Sequence, residues 1–122
     1  MITNFEDITA ELNELELELI PILVEGFKTH TEANPIKAPQ IVSNMNLYLV
    51  KKGKKIKMTE PRLRKCVNHI RSNSLLPLIA TSKGYYVSNS RDVIEAQIKS
   101  LNERASSIKK CAEGLAFFVI SP

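Results

Sequence analysis

Arg62, Arg64, Lys65, Asn68 and Arg71 recur within a ten-residue stretch, and these are side-chain types that read and hold nucleic acids. A guanidinium pairs bidentately with guanine O6 and N7, an asparagine amide with adenine N6 and N7, and either cation takes phosphate oxygens. Just upstream, Lys51, Lys52, Lys54, Lys55 and Lys57 form the densest basic run, and downstream Lys83 stands between Ser82 and Gly84. Between Lys37 and Arg91, twelve Lys and Arg face a single acid, Glu60, a local charge of +11. The first 34 residues carry −7, with Lys28 alone against eight acids, and residues 92–122 balance four cations against four acids. The formal +4 of the chain thus conceals a basic centre beside an acidic arm, a distribution that points to a polyanion.

Other chemistry has little to work with. His30 and His69 have no Cys or His near them at metal-ligand spacing, and neither joins a recognisable nucleophile arrangement. Cys66 and Cys111 fall beside apolar positions of helical patterns, which favours reduced, packed thiols. No GxGxxG or GxxxxGK loop occurs, and the acids of the arm are expected on a solvated helix face rather than paired over a pocket. The expectation is a protein that is not an enzyme, with no metal, no cofactor and no small-molecule substrate.

Positioning those side chains requires a core, and 122 residues suffice for one. No apolar run approaches the roughly 20 residues that span a bilayer, and the opening MITNFEDITAEL is too acidic for a signal peptide, so a cytoplasmic location without a membrane partner is expected. A capping-box pattern from Thr3 to Glu6 precedes Phe5, Ile8, Leu12, Leu15, Leu19 and Ile22, one apolar helix stripe backed by glutamates. Leu17, Ile20, Val24 and Phe27 add a second stripe around Pro21, which predicts a kink there or two consecutive helices to about Thr29. Asn34 and Pro35 stop the segment, leaving Ile36 for a short extended piece.

A second helix is expected after Pro39, on Ile41, Val42, Met45, Tyr48 and Leu49, ending before Gly53. The flexible lysine loop leads to Thr59, a good N-cap, and to a third helix with Leu63, Cys66, Val67 and Ile70 on its apolar face. Leu78 to Thr81 and Tyr85 to Ser88 read as a β-hairpin, with Gly84 available for a positive-φ turn position. Asn89 or Ser90 then caps a last helix in which Ile94, Ile98, Leu101, Ala105, Ile108, Ala112 and Leu115 repeat at four and three, a heptad seam. Phe117 to Ile120 is an apolar tail expected to pack down or pair.

The reading is a mainly α fold with a small β-hairpin: a winged helix-turn-helix, flanked by an acidic N-terminal helix and a heptad-bearing C-terminal helix. Residues 1–34 form the acidic arm with the first core helix, 35–89 the winged-helix core, and 90–122 the C-terminal helix and tail. The run RLRKCVNHIRSNSLLPLIATSKGYYVSNSRDVIEAQIKSLNERASSI resembles a group of phage-derived winged helix-turn-helix proteins of bacterial genomes. In that group a basic recognition helix ends in an IR pair, runs through LPLIA, turns at SKGYY into the second wing strand, and continues into a helix containing SL-x-x-RA-x-x-I. The resemblance covers roughly residues 36–115, leaves the acidic arm outside, and implies a DNA-binding fold.

Double-stranded DNA is therefore the expected partner, in a regulatory role in transcription or replication. Arg62, Arg64, Lys65 and Asn68 are the groove candidates, and Arg71 near the helix end is expected on a phosphate. Lys54, Lys55, Lys57 and Lys83 are expected to add phosphate contacts, each released counterion steepening the salt dependence. Of Tyr85 and Tyr86, which alternate faces, one is expected in the core and the other near the nucleic-acid backbone. The heptad helix has two readings, packing on the N-terminal helix or pairing with its twin; the homodimer is favoured, because small modules reach useful affinity on two half-sites. The rival from another class is a winged-helix adaptor that binds protein, with exposed apolar residues on the third helix as its mark. RNA is a weaker third option, for want of aromatics interleaved on a sheet.

Overall fold

The computed structural model of the protein describes residues 11–120. Helices α1 (Glu14–Leu17) and α2 (Leu19–Phe27) are followed by α3 (Ala38–Lys51), α4 (Glu60–Ser72), the antiparallel hairpin β1 (Leu78–Thr81) and β2 (Gly84–Val87), and the long α5 (Arg91–Ile120). The fold is mainly helical with one small hairpin, and the chain divides into two compact units between Ser88 and Asn89.

Thr3 to Glu6 lie outside the described residues; within them, the first helical turn is capped by Asn13. Its side chain accepts from the Glu16 amide at 2.8 Å, while the Glu16 carboxylate accepts from the Asn13 amide at 3.1 Å, a complete capping box. The break between α1 and α2 falls at Glu18, not at Pro21. A proline ring crowds the carbonyl four residues earlier, here Leu17, so the interruption appears just after that residue while Pro21 itself sits in the first turn of α2. The predicted single stripe is rotated as a result: Leu19 and Leu23 are buried, but Leu15 is 57% exposed.

The core of the first unit is built by Leu19, Ile20, Leu23 and Phe27 of α2, Ile41, Met45 and Leu49 of α3, Leu63, Cys66, Val67 and Ile70 of α4, with Met58 and Leu78. Each helix contributes residues three or four apart, so all three turn one stripe inward. The hairpin pairs Leu78 with Val87 and Thr81 with Gly84, closing on the two-residue loop Ser82–Lys83. Gly84 therefore belongs to the strand, not to the turn. Its φ is +127°, and a Cβ there would stand 2.6 Å from the Ile36 carbonyl oxygen; glycine is needed for that close approach. Ile36 bridges Tyr85 with backbone hydrogen bonds of 2.8 and 2.9 Å in the two directions, which is the short extended piece the sequence predicts.

In the second unit the Ser90 carbonyl accepts from the Ile94 amide at 3.0 Å, starting α5. Helix runs unbroken through Phe117 and Phe118 to Ile120, so the apolar tail is a continuation of α5; Phe117, Phe118, Val119 and Ile120 are all exposed. Among the described residues no helix is long and apolar enough to cross a membrane.

Candidate nucleic-acid interface

Helix α4 carries most of the predicted site. Thr59 caps it, its hydroxyl accepting from the Arg62 amide at 3.3 Å, and Pro61 occupies the first turn, where no backbone donor is required. Leu63, Cys66, Val67 and Ile70 face the core, so Asn68 and Ser72 stand exposed on the far side.

The cations of α4 are divided between its two flanks. Arg62 and Lys65 turn to the arm, where both meet Glu16: Arg62 Nε lies 2.7 Å from Oε2, and Lys65 Nζ lies 2.9 Å from Oε1 and 3.2 Å from Oε2. Glu16 is 2% exposed, in contrast to the solvated glutamate face expected for the arm. Burial alone would raise its pKa, but the hydrogen bonds from Arg62, Lys65 and the Asn13 amide outweigh it and hold the carboxyl at about 2. Arg62 also donates through Nη1 to the Lys57 carbonyl at 2.6 Å, so one guanidinium joins α1, α4 and the end of the lysine loop. Both groove candidates already have their charge met within the chain.

The opposite flank turns to the hairpin. Arg71 donates through Nε to the Leu78 carbonyl at 3.0 Å, tying the end of α4 to β1 where a phosphate contact was expected. Arg64 is half-buried, and with Arg71 it lies close enough to the Tyr85 hydroxyl to oppose the rise in its pKa caused by burial. Tyr86 is buried, and Tyr85 packs its ring against Phe27 with centroids 5.9 Å apart, so both tyrosines are invested in the fold. Lys83 remains exposed at the hairpin tip, its amide donating to Thr81 Oγ1 at 3.2 Å.

The lysine loop is pinned rather than flexible. At the end of α3 the Gly53 amide donates to Val50 and the Lys54 amide to Leu49, a Schellman closure made possible by the Gly53 φ of +68°. Asn46 of α3 then brackets Met58, accepting from its amide at 2.7 Å and donating to its carbonyl at 3.0 Å. With Met58 buried and Ile56 half-buried, the extended chain alternates and turns Lys55 and Lys57 outward. Lys54 lies 3.4 Å from Glu18, an exposed pair of little energetic weight. The acid at Glu16 and the amide at Asn46 are the residues that sequence reasoning missed. The Asn13-x-x-Glu16 spacing was a readable capping box; nothing local signals the Asn46 bracket, which spans twelve residues.

An open groove of about 400 Å³ runs between Glu11, Leu12 and Leu17 of the arm and Lys65, Asn68 and His69 of α4. Cys66, behind the ion cluster, has its thiol pushed up to about 12, by burial first and by the Glu16 charge second. Among the described residues no group of His, Cys, Asp or Glu is arranged to hold a metal ion. No family model, curated protein or solved structure matches this chain.

Proposed function

We propose that the protein binds duplex DNA as a winged helix-turn-helix module of phage or mobile-element type, regulating transcription or replication, and that it does so as a homodimer. The observation that carries the reading is the exposure of Lys55 and Lys57 on a rigid loop, Asn68 on the outward face of α4, and Lys83 at the hairpin tip, all on elements bonded to the same core. In this assignment α3 and α4 are the helix-turn-helix, β1 and β2 the wing, and the bridge at Ile36 the third strand that such a wing uses. Asn68 reads a base edge with Arg64 beside it, while Lys55, Lys57 and Lys83 hold phosphates. Arg62 and Lys65 take part only by exchanging Glu16 for a phosphate.

Fluorescence polarisation with random-sequence duplex over a salt series tests the reading. Log K is expected to fall against log salt at about −0.9 for each phosphate neutralised. Absence of binding at low salt refutes it.

A second reading, a protein-binding adaptor, draws on α3, where Leu47 is 69% and Val50 77% exposed, one helical turn apart. Against it stands α4, whose exposed and half-exposed positions are Glu, Pro, Arg, Lys, Asn, His and Ser with no large apolar residue among them.

A further inference from the structure

The apolar seam of α5 has a size pattern that selects one kind of pairing. With Ile98, Ala105, Ala112 and Val119 at the a positions of the heptad, the d positions are Ile94, Leu101, Ile108 and Leu115. The middle a residues are small and every d residue is large. Ile98 and Ile108 are 50% exposed, Leu115 69% and Val119 84%, and among the described residues none of α5 is buried, so the seam is open along most of its length. We propose that α5 pairs with α5 of a second copy in antiparallel orientation, which rests on the homodimer reading above and specifies its geometry.

Layer packing supplies the first argument. In a parallel pair like faces like, so Ala105 would face Ala105 and Ala112 would face Ala112, leaving thin layers between thick Leu101 and Ile108 layers. In an antiparallel pair each a faces a d. With the dyad between residues 106 and 107, Leu101 packs on the second copy's Ala112, Ala105 on its Ile108, Ile98 on its Leu115 and Ile94 on its Val119. Every alanine then meets a large residue, and helices with alanine in the seam approach toward the near end of the 8–10 Å range.

Charge supplies the second argument, independently. A parallel pair brings each g residue beside the e residue of the next heptad on its partner, which sets Arg104 against Lys109 twice. The antiparallel register instead sets Arg104 beside Cys111 and Lys109 beside Asn102, with no like charges opposed. Both sides of the seam disfavour the parallel alternative.

Two measurements on the full chain test the proposal. A spin label placed at position 92 by Asp92→Cys, with Cys111→Ala and Cys66 protected by burial, reports the distance between the two copies. Residue 92 lies 14.5 residues from the dyad, so at 1.5 Å per residue the labels are expected about 44 Å apart along the axis. A parallel pair brings them within about 20 Å, which overturns the orientation but leaves the dimer. The second measurement uses the facing pair: Leu101→Ala alone should weaken dimerisation on the order of tenfold or more, and adding Ala112→Leu should restore it. Failure of the double variant to recover while remaining folded overturns the proposal. A monomer at micromolar concentration by sedimentation overturns both the pairing and the homodimer, whereas loss of DNA binding by an intact antiparallel dimer counts against the DNA reading alone.

Discussion

Replacing Glu16 by Gln keeps the shape of the side chain and removes the charge that Arg62 and Lys65 share. The carboxyl is held at about 2 against an ordinary value of 4.5, a difference of roughly 2.5 pH units. At 1.36 kcal/mol per unit this amounts to about 3 kcal/mol of stabilisation when the group is ionised. Arg62 and Lys65 keep 29% and 17% of their side-chain surface in water, so both recover part of their hydration when the acid is lost. The expected loss is therefore about 2 kcal/mol, below the 3–5 kcal/mol typical of fully buried pairs. The sign with pH follows from the depressed value: stabilisation is fully present above pH 4.5 and is lost as the pH falls toward 2. Urea unfolding of both proteins at pH 7, 4.5, 3 and 2 should show the gap at the first pH and its closure at the last. A gap below ~0.5 kcal/mol at pH 7, or one that does not change with pH, would refute the assignment of Glu16 as the acid that holds the arm on α4.

The same Glu16→Gln protein, while less stable, should bind DNA more tightly and with a salt slope steeper by about one, because Arg62 and Lys65 together take one phosphate in place of the acid; polarisation at two salt concentrations reads it. Asn68→Ala should flatten preference among duplex sequences, whereas Lys55→Ala or Lys83→Ala should weaken all sequences alike and reduce the slope by about one; the reverse pattern would displace α4 as the reading element. Asn46→Ala leaves the buried Met58 amide and carbonyl without their partner and should cost about 1–3 kcal/mol in a urea melt while mobilising Lys55 and Lys57. Thiol titration at pH 8 should find Cys111 promptly and Cys66 only on unfolding, since the latter is buried and held protonated up to about 12.

Elements were legible where the signal was local. Thr59 with Pro61, Gly53, and the spacing of Ile41, Met45 and Leu49 each specify a boundary or a face within one or two turns, and the structure follows them. Glu16 was misjudged because a run of acids reads as a wetted surface; only the tertiary approach of α1 to α4 supplies two cations at hydrogen-bond distance and makes its burial affordable. The site was legible in its charge but not in its connections. Helical phase distinguishes the core face of α4 from its outer face, yet which flank meets the arm and which meets the hairpin depends on contacts across 46 and 7 residues, as with Arg62 to Glu16 and Arg71 to Leu78. Lysine composition likewise suggested a mobile loop, and the bracket from Asn46 that fixes it is long-range.

The hairpin is stitched to the connection between α2 and α3 along β2. Beyond the Ile36 bridge, the Val87 amide donates to the His30 carbonyl at 3.0 Å. This strand is therefore bonded on both edges, and the hairpin cannot detach without breaking the link to the helices. Hairpin and helices should then behave as a single cooperative opening unit: the amide protons of Tyr85 and Val87 would exchange with solvent only at the rate of global unfolding, alongside those of α2. Gly84→Ala, which forces the Ile36 backbone away without changing any charge, would split that unit in two. Exchange at the hairpin would accelerate first, and Lys83 would lose its fixed bearing while the electrostatics of the surface stayed the same.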